Sequence, residues 1–120
     1  MNEEFLINNY LKKLSNNNPY SLKLNDDVFF DKNKKLAISV DTYNEGIHFV
    51  NFKKPDLVIR KIIRSSISDI YAKGVKPNYF FLAASGSKKH FTKINMSLIN
   101  KSLSNEQNRF NIKLSGGDTT

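Results

Sequence analysis

The segment 36–49, LAISVDTYNEGIHF, places oxygen-bearing and imidazole side chains at the end of an alternating apolar run. Side chains of an extended strand alternate between its two faces, so Ser39 and Asp41 share one face while the apolar residues share the other. Hydroxyl and carboxylate oxygens held in fixed positions are the ligands that a hard cation requires. The segment therefore predicts a cation site at the end of a strand.

Further carboxylates stand in turns or near the ends of predicted elements, at Asp26, Asp27, Asp69 and Asp118. Asp69 lies near the C-terminal end of a predicted helix, where the helix dipole disfavours an acid by a few tenths to about 1 kcal/mol at an exposed site. Each acid alone is well explained as a turn or surface residue. Taken together, unpaired carboxylates in one place are unfavourable unless divalent cations bridge them.

Paired glycines precede Asp118 in the segment 115–120, SGGDTT. Glycine lets a backbone approach a phosphate closely, with amide groups that point at it. The chain contains neither GxxxxGK[ST] nor GxGxxG, so it has no P-loop and no dinucleotide fingerprint. If a nucleotide binds, we expect its phosphates to be held through magnesium ions.

Hydrophobic periodicity and turn residues predict the elements that must position these side chains. The predicted elements are a helix over 3–14, an antiparallel hairpin with strands over 28–30 and 36–41, a helix over 56–73 capped by Asp56, a strand over 78–84 covered on both faces, a helix over 90–108 and a strand over 110–114. In the last helix, Ile94, Leu98, Ile99 and Leu103 are expected to face inward. Gly74 is expected to adopt a left-handed conformation where the helix over 56–73 ends.

This order predicts an α+β fold with a mixed or mostly antiparallel four-stranded sheet and helices on one of its faces. Too few helices remain to cover the second face, although the central strands look apolar on both sides. An uncovered apolar face marks a partner surface, and a two-fold homodimer through this sheet face would cover it.

Composition limits the classes of function. The length of 120 residues is that of one domain. The formal net charge of +8 comes mainly from lysines scattered among asparagines, which indicates a composition bias of the source rather than a nucleic-acid surface. The chain has no Cys, which excludes disulfides and thiolate metal sites. It shows no secretory signal and no apolar stretch of membrane-spanning length, so we expect a cytoplasmic protein.

Four segments in register resemble the N-terminal domain of the thiamine-monophosphate kinase family, in the superfamily of aminoimidazole ribonucleotide synthetase. They are NDD at 25–27, LAISVDTYNEGIHF at 36–49, SISDIYAKGVKP at 66–77 and SGGDTT at 115–120. The resemblance implies ATP-dependent phosphoryl transfer onto thiamine monophosphate, which gives thiamine diphosphate. It also implies Mg²⁺ as cofactor and ATP as substrate.

The resemblance also implies roles for particular residues. His48 would contact the thiamine substrate, and Gly117 with Asp118 would contact ATP. No residue is assigned as a general base, because the accepting phosphate oxygen is already ionised. The implied magnesium ligands are Asp27, Ser39, Asp41, Asp69 and Asp118.

The chain departs from the family pattern at three positions and in length. Asn25 replaces a usual glycine, and Ser66 replaces a usual asparagine. Val40 replaces a usual hydroxyl residue, which implies the loss of one metal ligand of the family. Enzymes of the family continue beyond GGDTT for a further domain that closes the nucleotide site. Residues 1–120 are therefore expected to form a single N-terminal ATP- and metal-binding domain that is not active without the family's C-terminal domain.

Other functions stay open on the sequence alone. The chain could be another ATP-using member of the same superfamily, although no reactive Cys precedes the first acids as in the selenium enzyme. It could also be a non-catalytic dimerisation module that keeps the fold without the chemistry. A basic nucleic-acid module is the remaining alternative, and it requires salt-sensitive binding to DNA or RNA.

Overall fold

The computed structural model describes residues 2–120 and contains helices and strands in the predicted order. Helix α1 (Glu3–Leu6) is short and continues into a π-helical turn (Ile7–Leu11), so the predicted helix over 3–14 is irregular. The other elements are 3-10 segments (Lys12–Ser15 and Pro19–Leu24), β1 (Val28–Asp31), β2 (Leu36–Ser39), α2 (Pro55–Tyr71), β3 (Tyr79–Ala84), α3 (Lys93–Phe110) and β4 (Lys113–Thr119). Among the helices of residues 2–120, none is long and apolar enough to cross a membrane.

The core lies where α2 packs against α3. Ile59, Ile63 and Ile67 recur every four residues, so they form one buried stripe on α2, as the periodicity predicts. This stripe packs with Ile99 of α3 and with Ile112, which is almost fully buried. Each such side chain contributes about 1.5–3 kcal/mol by leaving water. The strands and loops therefore pack around the α2–α3 pair, which we term the core platform.

The ends of the two long helices differ from the predicted ones. Lys54 takes the N-cap position of α2, so Asp56 lies in the first turn and is not the cap. The proline that follows Lys54 fits the first helical position because it has no N–H to satisfy there. Gly74 has φ +72° just beyond the helix, which confirms the predicted left-handed residue. In α3, Ile94 was predicted to face inward but is 74% exposed.

The predicted four-stranded sheet is wrong. The strands form two separate two-stranded sheets: β1 pairs with β2 antiparallel, and β3 pairs with β4 parallel. A tight turn joins the hairpin strands, whereas α3 is the crossover connection that a parallel pair requires. Residue alternation specifies which side chains share a face but not which strand edges pair, so the pattern did not distinguish these arrangements.

Strand β3 is covered on one face only, contrary to the prediction. Phe80 packs against the core, whereas Tyr79 and Phe81 on the opposite face are 71% and 74% exposed. Strand β4 begins later than predicted, because Phe110 is the last residue of α3. As a result, most of the SGGDTT segment lies within β4 instead of beyond the last strand.

Candidate metal and substrate site

The hairpin brings three of the predicted metal ligands to the same end. Val28, the first residue of β1, pairs with Ser39, the last residue of β2. Asp27 directly precedes β1 and Asp41 follows shortly after β2, so both acids leave the hairpin at this end. Ser39 belongs to the terminal pair itself, two positions before Asp41 and opposite the residue that follows Asp27.

Asp69 in the last turn of α2 faces this end of the hairpin. Partial burial raises the pKa of Asp69, and a hydrogen bond with Asp41 raises it further. The negative charges of Asp41, Asp27 and Asp26 act in the same direction. Like charges disfavour the ionised form of a neighbour only at short range. The structure thus gathers Asp26, Asp27, Asp41 and Asp69 into one group, which we term the carboxylate cluster.

Lys73 compensates part of this negative charge. Its ammonium group forms an ion pair with Asp26. The hydrogen bond from Lys73 is the largest effect on Asp26 and lowers its pKa. One lysine cannot neutralise four carboxylates, so the cluster keeps a negative potential that attracts cations. The sequence left open whether Asp26 or Asp27 lies near Asp41. In the structure, Asp26 is the one that is paired with Lys73.

The donor chemistry of the carboxylate cluster suits Mg²⁺, which takes oxygen ligands and keeps several waters. The side-chain arrangement is more open than a finished site. Within residues 2–120, no group of three or more His, Cys, Asp or Glu side chains is arranged so that it could hold a metal ion. A bound cation would therefore have to draw these carboxylates closer together, which its charge would favour.

The loop over 40–50 runs along α2 in the opposite direction. At its start Asp41 acts on Asp69, and further along the Tyr43 hydroxyl lies 3.0 Å from Ser66 Oγ. The same hydroxyl donates to Asp41 Oδ2 at 3.4 Å. Near the end of the loop, Lys61 Nζ donates to the backbone oxygen of His48 at 2.5 Å. Through these contacts, the carboxylate cluster and His48 lie one after the other along α2.

His48 is exposed, but its ring is held in a defined orientation. Nδ1 accepts a hydrogen bond from the backbone N–H of Asn44 at 2.8 Å. The ring packs edge-on against Tyr43, with 5.7 Å between the centroids. Because Nδ1 is an acceptor, the proton of the neutral ring is on Nε2. His48 can therefore offer an N–H donor to a molecule at the surface.

Gly117 lies where the backbone of β4 runs close beside that of β3. It pairs with Leu82 next to an irregularity in the register, and Asp118 pairs with Ala83. A Cβ on Gly117 would lie 1.8 Å from the carbonyl oxygen of Leu82, so only glycine fits. Asp118 is exposed on this second sheet and is not among the carboxylates that raise the pKa of Asp69. Its place in a common metal site stays a prediction.

Three residues of this region were not predicted as functional: Tyr43, Lys61 and Lys73. Lys61 and Lys73 are two of many lysines, and their sequence context gives no sign that each meets a particular partner. Tyr43 lies two residues after Asp41, and this proximity to a predicted ligand was the one available signal. Each residue acts through a contact across 13 or more positions in the chain.

Comparison with known families gives one match. The family described as AIR synthase related protein, N-terminal domain, matches residues 24–120. The matched range contains the hairpin, α2, both strands of the second sheet and every predicted site residue. No solved structure matches the chain.

Curated relatives share one description. A thiamine-monophosphate kinase of Caulobacter vibrioides is 31% identical over 112 residues, which cover 91% of this chain and 32% of the relative. The thiamine-monophosphate kinase of Buchnera aphidicola from Acyrthosiphon pisum is 30% identical and that of Haemophilus influenzae is 30% identical, covering 95% and 100% of this chain. These matches cover 36% and 37% of the two relatives. The chain spans about a third of the length of the curated relatives it matches.

Proposed function

Because the chain belongs to the family of AIR synthase related proteins through its N-terminal domain, we propose that it is the metal- and ATP-binding part of a thiamine-monophosphate kinase. The proposed reaction transfers a phosphoryl group from ATP to thiamine monophosphate. The observation that carries the proposal is the carboxylate cluster around Asp69 of α2. The same helix carries Lys61, which contacts the loop that contains His48. The names of the relatives agree with this reaction.

In the proposed mechanism, carboxylate and hydroxyl oxygens would hold Mg²⁺. When bound, Mg²⁺ supplies positive charge that stabilises the phosphate oxygens during transfer. Because Asp26 is paired with Lys73, we propose that Asp27 is the one of these two adjacent acids that faces the ion. The residues proposed to hold Mg²⁺ are Asp27, Ser39, Asp41, Asp69 and Asp118.

The remaining roles concern binding and orientation. The phosphate oxygen of thiamine monophosphate is ionised at neutral pH, so it needs no general base to accept the phosphoryl group. His48 would position the thiamine substrate through its Nε2–H. The backbone at Gly117 and Asp118 would contact ATP, since glycine allows close approach of a phosphate. The chain's contribution is therefore mainly to place and orient the two substrates.

The proposal includes a homodimer in the cytoplasm, without nucleic-acid or membrane partners. Tyr79 and Phe81 on β3 and Ile38 on β2 are exposed apolar side chains that a second copy would cover. The same exposed side chains favour a second candidate function, a non-catalytic dimerisation module. The two candidates differ in whether the carboxylate cluster binds metal and nucleotide.

Isothermal titration of this chain with Mg²⁺ and a non-hydrolysable ATP analogue tests the proposal. We expect saturable binding of the analogue that depends on Mg²⁺ and is lost in Asp69→Asn. Asp56→Asn is the matched control, because it makes the same change at the opposite end of α2 and should bind as wild type does. Absence of Mg²⁺-dependent binding by the wild-type chain would overturn the assignment and support the dimerisation module.

A further inference from the structure

His90 connects the β3–α3 loop to the loop that carries His48. Its Nε2 lies 2.9 Å from Oε2 of Glu45, which is 45 positions earlier in the chain. The side chain of His90 is 23% exposed and that of Glu45 is 43% exposed. Glu45 lies between Asp41 and His48 in the loop over 40–50. This contact therefore reaches the middle of the segment in which the proposed metal and substrate residues lie.

The hydrogen bonds of His90 define which residue is the donor in its contact with Glu45. Nδ1 accepts from the backbone N–H of Ser87 at 3.0 Å and lies 2.9 Å from the hydroxyl of the same residue. A ring nitrogen that accepts from a backbone N–H carries no proton. The proton of the neutral ring is therefore on Nε2, which donates to the Glu45 carboxylate. A hydrogen bond with an ionised acceptor is stronger than a neutral one.

The backbone and ring of His90 are also held by their surroundings. Thr92 caps α3 by accepting from the backbone N–H of Asn95 at 3.1 Å. The side chain of Asn95 in turn donates to the backbone oxygen of His90 at 2.9 Å. The ring packs edge-on against Phe52, which itself packs on the core. His90 is thus a fixed point on the α3 side of the molecule.

Glu45 belongs to the turn that orients His48. The backbone N–H groups of Ile47 and His48 both donate to the oxygen of Asn44, at 3.1 and 2.9 Å. Gly46 N–H donates to the oxygen of Phe49 at 2.6 Å, which closes the turn from the other side. Fixing Glu45 therefore fixes the backbone on which the His48 ring is mounted.

We propose that His90 is a positioning residue that, through Glu45, holds the turn presenting His48 to the thiamine substrate. The inference rests on the proposed function for the identity of that substrate. The effect on the turn itself does not depend on it. Lys61 of α2 holds the same turn by donating to the His48 carbonyl. The turn is therefore held from two different elements, α2 and the β3–α3 loop.

Amide hydrogen exchange measured by NMR on this chain tests the effect on the turn. In His90→Ala we expect the amides of Gly46, Ile47 and His48 to exchange about tenfold faster, the factor given by losing a hydrogen bond to a charged group. Core amides such as that of Ile63 should keep their protection. They also show that the variant is folded. Unchanged exchange in the turn would overturn the inference.

Conservative changes separate positioning from general disruption. Glu45→Gln keeps an acceptor oxygen for His90 Nε2 but loses the charge, so its turn amides should exchange faster than in the wild type and slower than in Glu45→Ala. Glu45→Ala should match His90→Ala. Lys88→Ala, an exposed change in the same loop, is the control and should have no effect. A Glu45→Gln variant as disturbed as Glu45→Ala would contradict a hydrogen bond as the cause.

Binding of thiamine monophosphate in the presence of Mg²⁺ and the ATP analogue supplies the functional readout. We expect the Kd for thiamine monophosphate to rise about tenfold in His90→Ala, with the Kd for the analogue unchanged. Equal weakening of both ligands would overturn a specific role at His48. If the wild-type chain bound no thiamine monophosphate, the substrate assignment would fail, while the exchange experiment would still decide whether His90 holds the turn.

Discussion

Arg64 of α2 and Glu106 of α3 form a two-point ion pair across the core platform. Arg64 donates from Nε to Oε2 at 2.9 Å and from Nη2 to Oε1 at 3.1 Å. The Glu106 side chain is only 5% exposed, whereas that of Arg64 is 41% exposed. The hydrogen bond with Glu106 raises the pKa of Arg64. The pair therefore provides a charged partner for a carboxylate that would otherwise be buried alone.

Removing one partner of this pair should destabilise the fold more than removing both. Arg64→Met leaves the Glu106 carboxylate buried without its donor, which is unfavourable. Replacing both residues, in Arg64→Met with Glu106→Leu, removes the unpaired charge and should recover part of the loss. Thermal unfolding of the single and double variants measures the ranking. A double variant no more stable than Arg64→Met would show that the pair itself stabilises the α2–α3 contact.

The buried stripe of α2 should be the most sensitive apolar feature. Ile63→Ala removes a side chain from the centre of the core and should lower the free energy of unfolding by about 2–5 kcal/mol. Ile94→Ala is the control, because Ile94 is exposed on α3 and should change stability by less than about 0.5 kcal/mol. Urea unfolding measures both. Similar losses in the two variants would place the core elsewhere.

The sequence predicted the elements of this fold better than their assembly. The isoleucine stripe of α2 and the hairpin follow from local periodicity and turn residues, which act within a few positions. Strand pairing is decided by the fold as a whole, so the parallel β3–β4 pair was missed. The exposure of Ile94 was missed for the same reason, because α3 buries a narrower face than its apolar positions suggest.

The site shows the same division. Asp27, Asp41 and Asp69 were selected from their places at element ends, and the structure does bring them together. The partners that shape the site, such as Lys73 on Asp26 and His90 on Glu45, come from distant parts of the chain. Such contacts depend on tertiary packing, and the partner of a lysine or a single histidine cannot be identified from the sequence.

Gly117 should tolerate no larger residue. In Gly117→Ala the new Cβ would overlap the Leu82 carbonyl, and relief requires a shift of the β3 or β4 backbone. We expect a loss of at least about 2 kcal/mol in the free energy of unfolding. Gly74→Ala is the control, because its Cβ meets open space and only its φ of +72° is unfavourable, by about 1 kcal/mol. Equal losses in denaturant unfolding would contradict the steric argument.

Asp69→Asn should stabilise the chain without metal and abolish its response to metal. The raised pKa of Asp69 means that its ionised form is less favourable in the folded than in the unfolded state. At neutral pH the amide removes this penalty, so we expect a higher Tm than that of the wild type. As the pH falls through the raised pKa towards the ordinary value of 3.8, wild-type Asp69 becomes protonated and the difference in Tm should shrink. Millimolar Mg²⁺ should raise the Tm of the wild type and not that of Asp69→Asn, because the cation needs the carboxylate that the substitution removes. A lower metal-free Tm for Asp69→Asn would mean that its hydrogen bonds outweigh the repulsion within the carboxylate cluster.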